Sequence, residues 1–141
     1  MNVALLVGAL LPIVVGLFAT IVGLDRDRGF YPTVMIVIAV LYALFAVMGG
    51  STEALLLELL AGAAFVAAAV WGFKGSLWLV AVALALHGVF DFAHGWLIAN
   101  PGVPAWWPAF CGTYDVVAAG YLAGLLATGR VGVRAPGVEP T

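Results

Sequence analysis

Charge is what this chain has least of. Only 9% of its 141 residues are Asp, Glu, Lys or Arg, against about 25% in an ordinary soluble domain. With 65% apolar residues, there is too little polar side chain to clothe a water-facing surface, so the solvent must be lipid. The net charge is −2, with no basic block and no long acidic run, and nothing points to a nucleic-acid partner. A single cysteine, Cys111, excludes an intramolecular disulfide and leaves the redox compartment unmarked. Ahead of the first apolar run, Met1-Asn2-Val3 carries no basic residue. That run is longer than the roughly 7–15 residues of a signal-peptide core, and it reads as a retained span. Missing too are a G-x-S-x-G elbow, a phosphate-binding glycine loop, a dinucleotide fingerprint and any internal repeat.

What is present is apolar sequence in lengths of roughly 20 residues, the length that crosses a bilayer as a helix. Five such stretches are predicted: Val3–Leu24, Tyr31–Met48, Glu53–Phe73, Leu77–Ala99 and Trp106–Thr128. Breakers separate them. Asp25-Arg26-Asp27-Arg28-Gly29 ends the first, Gly49-Gly50-Ser51 the second, Lys74-Gly75-Ser76 the third and Asn100-Pro101-Gly102-Val103-Pro104 the fourth. The expected fold is an all-α bundle of five transmembrane helices in one domain, residues 1–129. Residues 130–141 are expected to form a short flexible cytoplasmic tail. With five spans, Arg26, Arg28, Lys74, Arg130 and Arg134 all fall on one side. The positive-inside rule then places the N-terminus outside and the C-terminus in the cytoplasm, as in a multi-pass protein of the cell membrane. Gly62, and the Gly120/Gly124 pair, are small-residue positions at which helices approach closely in lipid, within the bundle or in a homo-oligomer.

Against this background a few polar residues stand out. No lysine or arginine lies within a span, yet Glu58, His87, Asp91, His94 and Asp115 do. Ionisable groups inside a membrane are costly and default to a functional reading. On the fourth span, Asp91 lies about 40° from His87 around the helix and His94 about 20° to the other side, so the three share one face. On the fifth, Cys111 and Asp115 share a face in the same way. Measured inward from the outer end of each span, His94 is roughly 7 Å deep, Asp91 about 12 Å and His87 about 18 Å; Cys111 is about 7 Å, Asp115 about 13 Å and Glu58 about 8 Å. All fall in one slab, and the short connection makes spans four and five neighbours.

Carboxylates with no basic partner must be protonated, hydrogen-bonded to a histidine, or bound to a cation. Two histidines with carboxylates form a ligand set for zinc foremost, or for iron or manganese. The candidate ligands are His87, Asp91, His94, Asp115, Glu58 and Cys111. The same groups, His87, Asp91, His94 and Asp115, serve equally as acid–base catalysts. The bland alternatives are a hydrogen-bonded lock between spans four and five, with Cys111 a small packing residue and Tyr42 simple lining. The sequence does not fix the rotation of span three, on which the place of Glu58 depends.

The segments His87-Gly88-Val89-Phe90-Asp91-Phe92-Ala93-His94 and Trp107-Pro108-Ala109-Phe110-Cys111-Gly112-Thr113-Tyr114-Asp115 resemble an uncharacterised family of small bacterial multi-pass membrane proteins. That family pairs an H-G-x-W-D-x-x-H-like segment with a W-x-P-x-x-C-x-x-Y-D-like one. Phe90 stands here in place of the tryptophan, and Gly95 where a second histidine is common. The resemblance implies His87, Asp91, His94, Cys111 and Asp115 as the residues of interest and brings no activity with it. At the level of fold alone there is analogy to zinc-dependent membrane hydrolases of the alkaline ceramidase type and to five-span sterol isomerases. The expected function is a membrane enzyme acting on a lipid-like or isoprenoid substrate. Metal-ion or proton binding and transport is the alternative, and a structural subunit with a polar helix lock the third reading.

Overall fold

A computed structural model describes residues 3–131. Five α-helices account for them: α1 (Val3–Val22), α2 (Phe30–Met48), α3 (Thr52–Lys74), α4 (Leu77–Leu97) and α5 (Trp107–Ala127), with no strand among the described residues. Each helix is long and apolar enough to cross a membrane. Large apolar side chains such as Leu60, Ile21 and Trp96 point outward around the bundle. A surface of this kind is suited to lipid. Of the tail expected from 130 onward, Arg130 and Val131 are described; the remaining positions lie outside the described residues.

The helix ends follow local chemistry. Helix α1 stops at Val22 because Gly23 turns to a φ of 89°. The N–H groups of Gly23 and Leu24 then both reach back to the carbonyl of Ala19, which satisfies orphan groups of the last turn. Ser51 caps α3 by accepting from the Ala54 N–H at 3.1 Å, and Ser76 accepts from the Trp78 N–H at 3.3 Å at the start of α4. At the far end of α3, the Arg28 guanidinium donates to the carbonyls of Gly72, Phe73 and Gly75 at 3.1, 3.0 and 2.6 Å. It thereby ties the 23–29 connection to the 75–76 connection. Arg26, Arg28, Lys74 and Arg130 gather at this one end of the bundle, called the arginine end below.

Packing does not follow chain order. The main interfaces are α1 with α5, α5 with α4, α4 with α3 and α3 with α2, while α2 also touches α4. Helices α4 and α5 approach closely because Gly88 and Gly112 face each other. A Cβ on Gly88 would come within 2.8 Å of the Gly112 carbonyl oxygen, and one on Gly112 within 3.0 Å of that of Gly88. Gly62 does the same for α3 against the Ala39 carbonyl of α2, at 2.7 Å. Gly120 and Gly124 take no part in the packing of the bundle; a Cβ at either would meet nothing within 4 Å. Since α1 lies on α5 and α2 on α3, a gap remains between α2 and α5.

Candidate functional site

The backbone contact of Gly88 with Gly112 brings the polar faces of α4 and α5 together one turn further on. His87 Nδ1 lies 2.6 Å from Asp115 Oδ2 and 3.4 Å from Asp91 Oδ2. All three side chains are buried, the two carboxylates completely. Their ligand atoms fall within 4.8 Å of one another.

Glu58 and His94 do not join this group. They form a pair of their own, with His94 Nε2 at 2.7 Å from Glu58 Oε1. Asn100, in the connection between α4 and α5, donates to the same Glu58 oxygen at 2.9 Å and to the Tyr42 carbonyl at 3.0 Å. Its Oδ1 in turn accepts from the Gly102 N–H at 3.2 Å. The six candidate ligands read from the sequence therefore divide into His87, Asp91 and Asp115 on one side and Glu58 and His94 on the other. Cys111 is buried beside the first group, within electrostatic reach of both Asp91 and Asp115.

The two groups differ in how well their polar atoms are satisfied. The Glu58–His94–Asn100 group is knitted together by short hydrogen bonds, as expected of a structural lock. In the His87 group, both oxygens of Asp91, the Oδ1 of Asp115 and the nearby Tyr42 hydroxyl are buried without a hydrogen-bond partner. Most buried polar side-chain atoms in proteins do have a partner. Three carboxylate oxygens without a well-formed hydrogen bond, one of them 3.4 Å from the His87 imidazole, form a site of poorly met acceptors, and no lysine or arginine lies within α2, α4 or α5.

Two residues that sequence reasoning undervalued complete the picture. Tyr42, read as lining, stacks its ring on His94 with centroids 4.0 Å apart, and its hydroxyl interacts with Asp91. Asn100, read only as part of a chain break, holds that break onto α2 and α3. The available signals were a tyrosine in the middle of an apolar span and an amide in the connection next to His94. Asp25, read as a loop acid, is buried as well. It accepts from the Thr20 hydroxyl at 2.6 Å, and Thr20 lies 2.9 Å from the Tyr121 hydroxyl, which ties α1 to α5 at the arginine end.

The gap between α2 and α5 is a cleft of about 560 Å³ that opens sideways. Asp27, Gly29 and Thr33 lie at its arginine end; Val34, Val37, Ile38 and Leu41 form the α2 wall. Cys111 belongs to the α5 wall and so stands between the cleft and the orphan carboxylates.

No family model, no curated protein and no solved structure matches this chain. What the site can do is therefore argued from its own atoms. His87, Asp91 and Asp115 could hold a metal ion. One imidazole nitrogen and two carboxylates are a donor set that divalent cations accept, and the orphan oxygens supply the unused lone pairs. The 2.6 Å approach of Nδ1 to Oδ2 is a hydrogen-bond distance. An ion placed about 2.0–2.2 Å from each donor holds its ligands further apart than that, so the group opens slightly to take one. Glu58 and His94 are engaged elsewhere.

Proposed function

We propose that this chain is a multi-pass protein of the cell membrane, N-terminus outside and C-terminus in the cytoplasm, that works as an enzyme on a lipid-like or isoprenoid substrate. The observation that carries the reading is the juxtaposition of two features. A cleft open to the bilayer has Cys111 in its wall, and directly behind Cys111 lie carboxylate oxygens with no partner. A substrate that lives in the membrane can enter this cleft without passing through water; Cys111 separates it there from the buried carboxylates and must turn aside for it to reach them.

Charge balance defines the chemistry. A protonated His87 balances one of the two carboxylates; the other takes a proton or a divalent cation. With protons alone, an acid and a base stand side by side in a dry site, which is the arrangement general acid–base catalysis uses. With zinc, or with iron or manganese, His87, Asp91 and Asp115 are the residues that hold it, and a bound ion would supply Lewis acidity. The chain's own part is the same in both versions. His87 and Asp115 fix each other's orientation through their 2.6 Å contact, Tyr42 and Cys111 border Asp91, and the surrounding apolar helices exclude water. His94 supports the site through Tyr42, on which it stacks. Binding or movement of a metal ion or protons without catalysis is the second reading, favoured by the same orphan oxygens.

Comparative lipid profiling tests the reading. Membranes expressing the wild type should show one lipid depleted and a related one enriched, relative to membranes expressing Asp91→Asn. Identical profiles, with both proteins present in equal amount, would remove the enzyme reading.

A further inference from the structure

On the α2 side of the α2/α5 cleft the polar lining is confined to one end; the α5 side adds Cys111, Tyr114 and Trp107. Asp27 Oδ1 accepts from the Gly29 N–H at 2.8 Å, and Thr33 donates to the Gly29 carbonyl at 2.8 Å. These residues, with Arg26 and Arg28 beside them in the chain, mark the interfacial mouth. Past Thr33 the α2 wall is wholly aliphatic through Val34, Val37, Ile38 and Leu41. The rings of Trp107 and Phe110 line the opposite end. Such a cleft matches an amphiphile lying along the helices with its head at the arginine end.

Distance along the cleft decides where such a molecule meets the site. The Trp107 ring packs on Phe45 with centroids 4.9 Å apart, and Cys111, one turn further along antiparallel α5, therefore stands level with Leu41 and Tyr42, one turn back along α2. From Phe30 to Leu41 is eleven residues, or about 16 Å of helix rise. One leaflet contributes about half of the roughly 30 Å hydrocarbon core. A lipid with its head at the Asp27–Thr33 mouth therefore presents to Cys111 and the carboxylates behind it a carbon deep in its chain. Its head group and any ester next to the head stay at the mouth.

We propose that the substrate is an unsaturated or isoprenoid lipid taken from the leaflet at the arginine end, and that it reacts within its hydrocarbon chain. This rests on the enzyme reading above and narrows it. The reaction class that fits is a double-bond shift. A proton is added to one alkene carbon, a proton leaves the allylic carbon, and the π pair moves one position along the chain. One C–H bond forms as another breaks, so no oxidant, reductant or water is consumed. That suits a site from which liquid water is held off, since His87, Asp91 and Asp115 are all buried; their exchangeable protons trade with solvent between turnovers.

The experiment uses the full chain in nanodiscs made from the lipid extract of the membranes that express it, held in D2O. Lipids are then fragmented in a mass spectrometer to locate carbon-bound deuterium. Three proteins are compared: wild type, Asp91→Asn, and Val37→Trp, which places a large ring in the cleft at a position that is half exposed and so tolerates it. The expected result is deuterium in the chain of an unsaturated lipid at least tenfold above both substituted proteins. Conversion of a head group or an ester by the wild type alone, without deuterium in the chain, would overturn the inference and leave the enzyme reading standing. Lipids left identical by all three proteins would overturn both.

Discussion

Tyr42 lies flat on His94, the two rings 11° from parallel with their centroids 4.0 Å apart, and the same tyrosine interacts through its hydroxyl with Asp91. It is the side chain through which the satisfied lock and the unsatisfied site touch. Its hydroxyl borders Asp91 but makes no well-formed hydrogen bond, so the oxygen contributes little to holding the fold together. Tyr42→Phe keeps the stack and removes the orphan. We expect a melting temperature equal to or above the wild type, a gain of up to about 1 kcal/mol, together with slower lipid conversion. Tyr42→Ala removes the buried ring and should cost about 3–5 kcal/mol. Melting curves in detergent, run side by side, separate the two.

Asp91 and Asp115 should respond differently to loss of charge. Asp115 is hydrogen-bonded to His87 and Asp91 is not. Asp91→Asn is expected to leave the protein folded and as stable as the wild type, while abolishing turnover and any bound divalent ion. Asp115→Ala strands His87 and should cost about 1–3 kcal/mol. If the wild type binds metal, elemental analysis should find about one ion per chain, lost in Asp91→Asn. A clear fall in the stability of Asp91→Asn with unchanged metal content and unchanged lipids would reduce the site to a lock.

Glu58 carries the opposite expectation. Its Oε1 accepts from both His94 and Asn100, and Glu58→Ala leaves buried His94 without that acceptor, while half-buried Asn100 keeps the Tyr42 carbonyl. The loss should be about 1–3 kcal/mol, seen as a lower melting temperature. The divalent-ion content of the His87 group should not change. Metal lost in Glu58→Ala at a temperature where the protein is fully folded would show the two groups to be one site.

How much of this was legible in the chain depends on which coordinate is considered. Angle alone placed His87, Asp91 and His94 on one face of α4, and they do share it. Along the axis, however, His87 and His94 are seven residues apart, about 10 Å, too far for one small ion to touch both. Depth paired His94 with Glu58, expected within about 1 Å of each other, and the structure joins them. It also set Cys111 at their level and His87 about 5 Å from Asp115, whereas Cys111 lies with the carboxylates of the other group and His87 bonds Asp115. The five spans were readable because lipid demands long apolar runs. Asn100 was not readable as a partner of Glu58, since its role depends on a connection folding back over α2 and α3.

Glycine gives a contrast within α4 and α5. Gly88→Ala drives a methyl into the Gly112 backbone and should cost about 1–3 kcal/mol, with lipid conversion reduced because Asp91 and Asp115 are pushed apart. Gly120→Ala and Gly124→Ala, facing open space, should leave the melting curve of a lone bundle unchanged. If a second copy of the chain packs on that face, Gly120→Leu should dissociate it, which size-exclusion chromatography with light scattering would detect.

The order of packing bears on how the protein is made. Of the five helices α1 is made before the others, yet its principal partner is α5, made after them. The Thr20–Tyr121 bridge spans almost the whole described chain. Until α5 inserts, the flank of α1 that carries Gly8 and Gly16 has only lipid or an insertion factor to lie against, and those two glycines have neither the Phe110 backbone nor the Tyr121 ring that later cover them. Bundle closure is therefore a late, long-range event in biosynthesis, and a chain cut before α5 would leave α1 tethered by the 23–29 connection with its docking surface unmade.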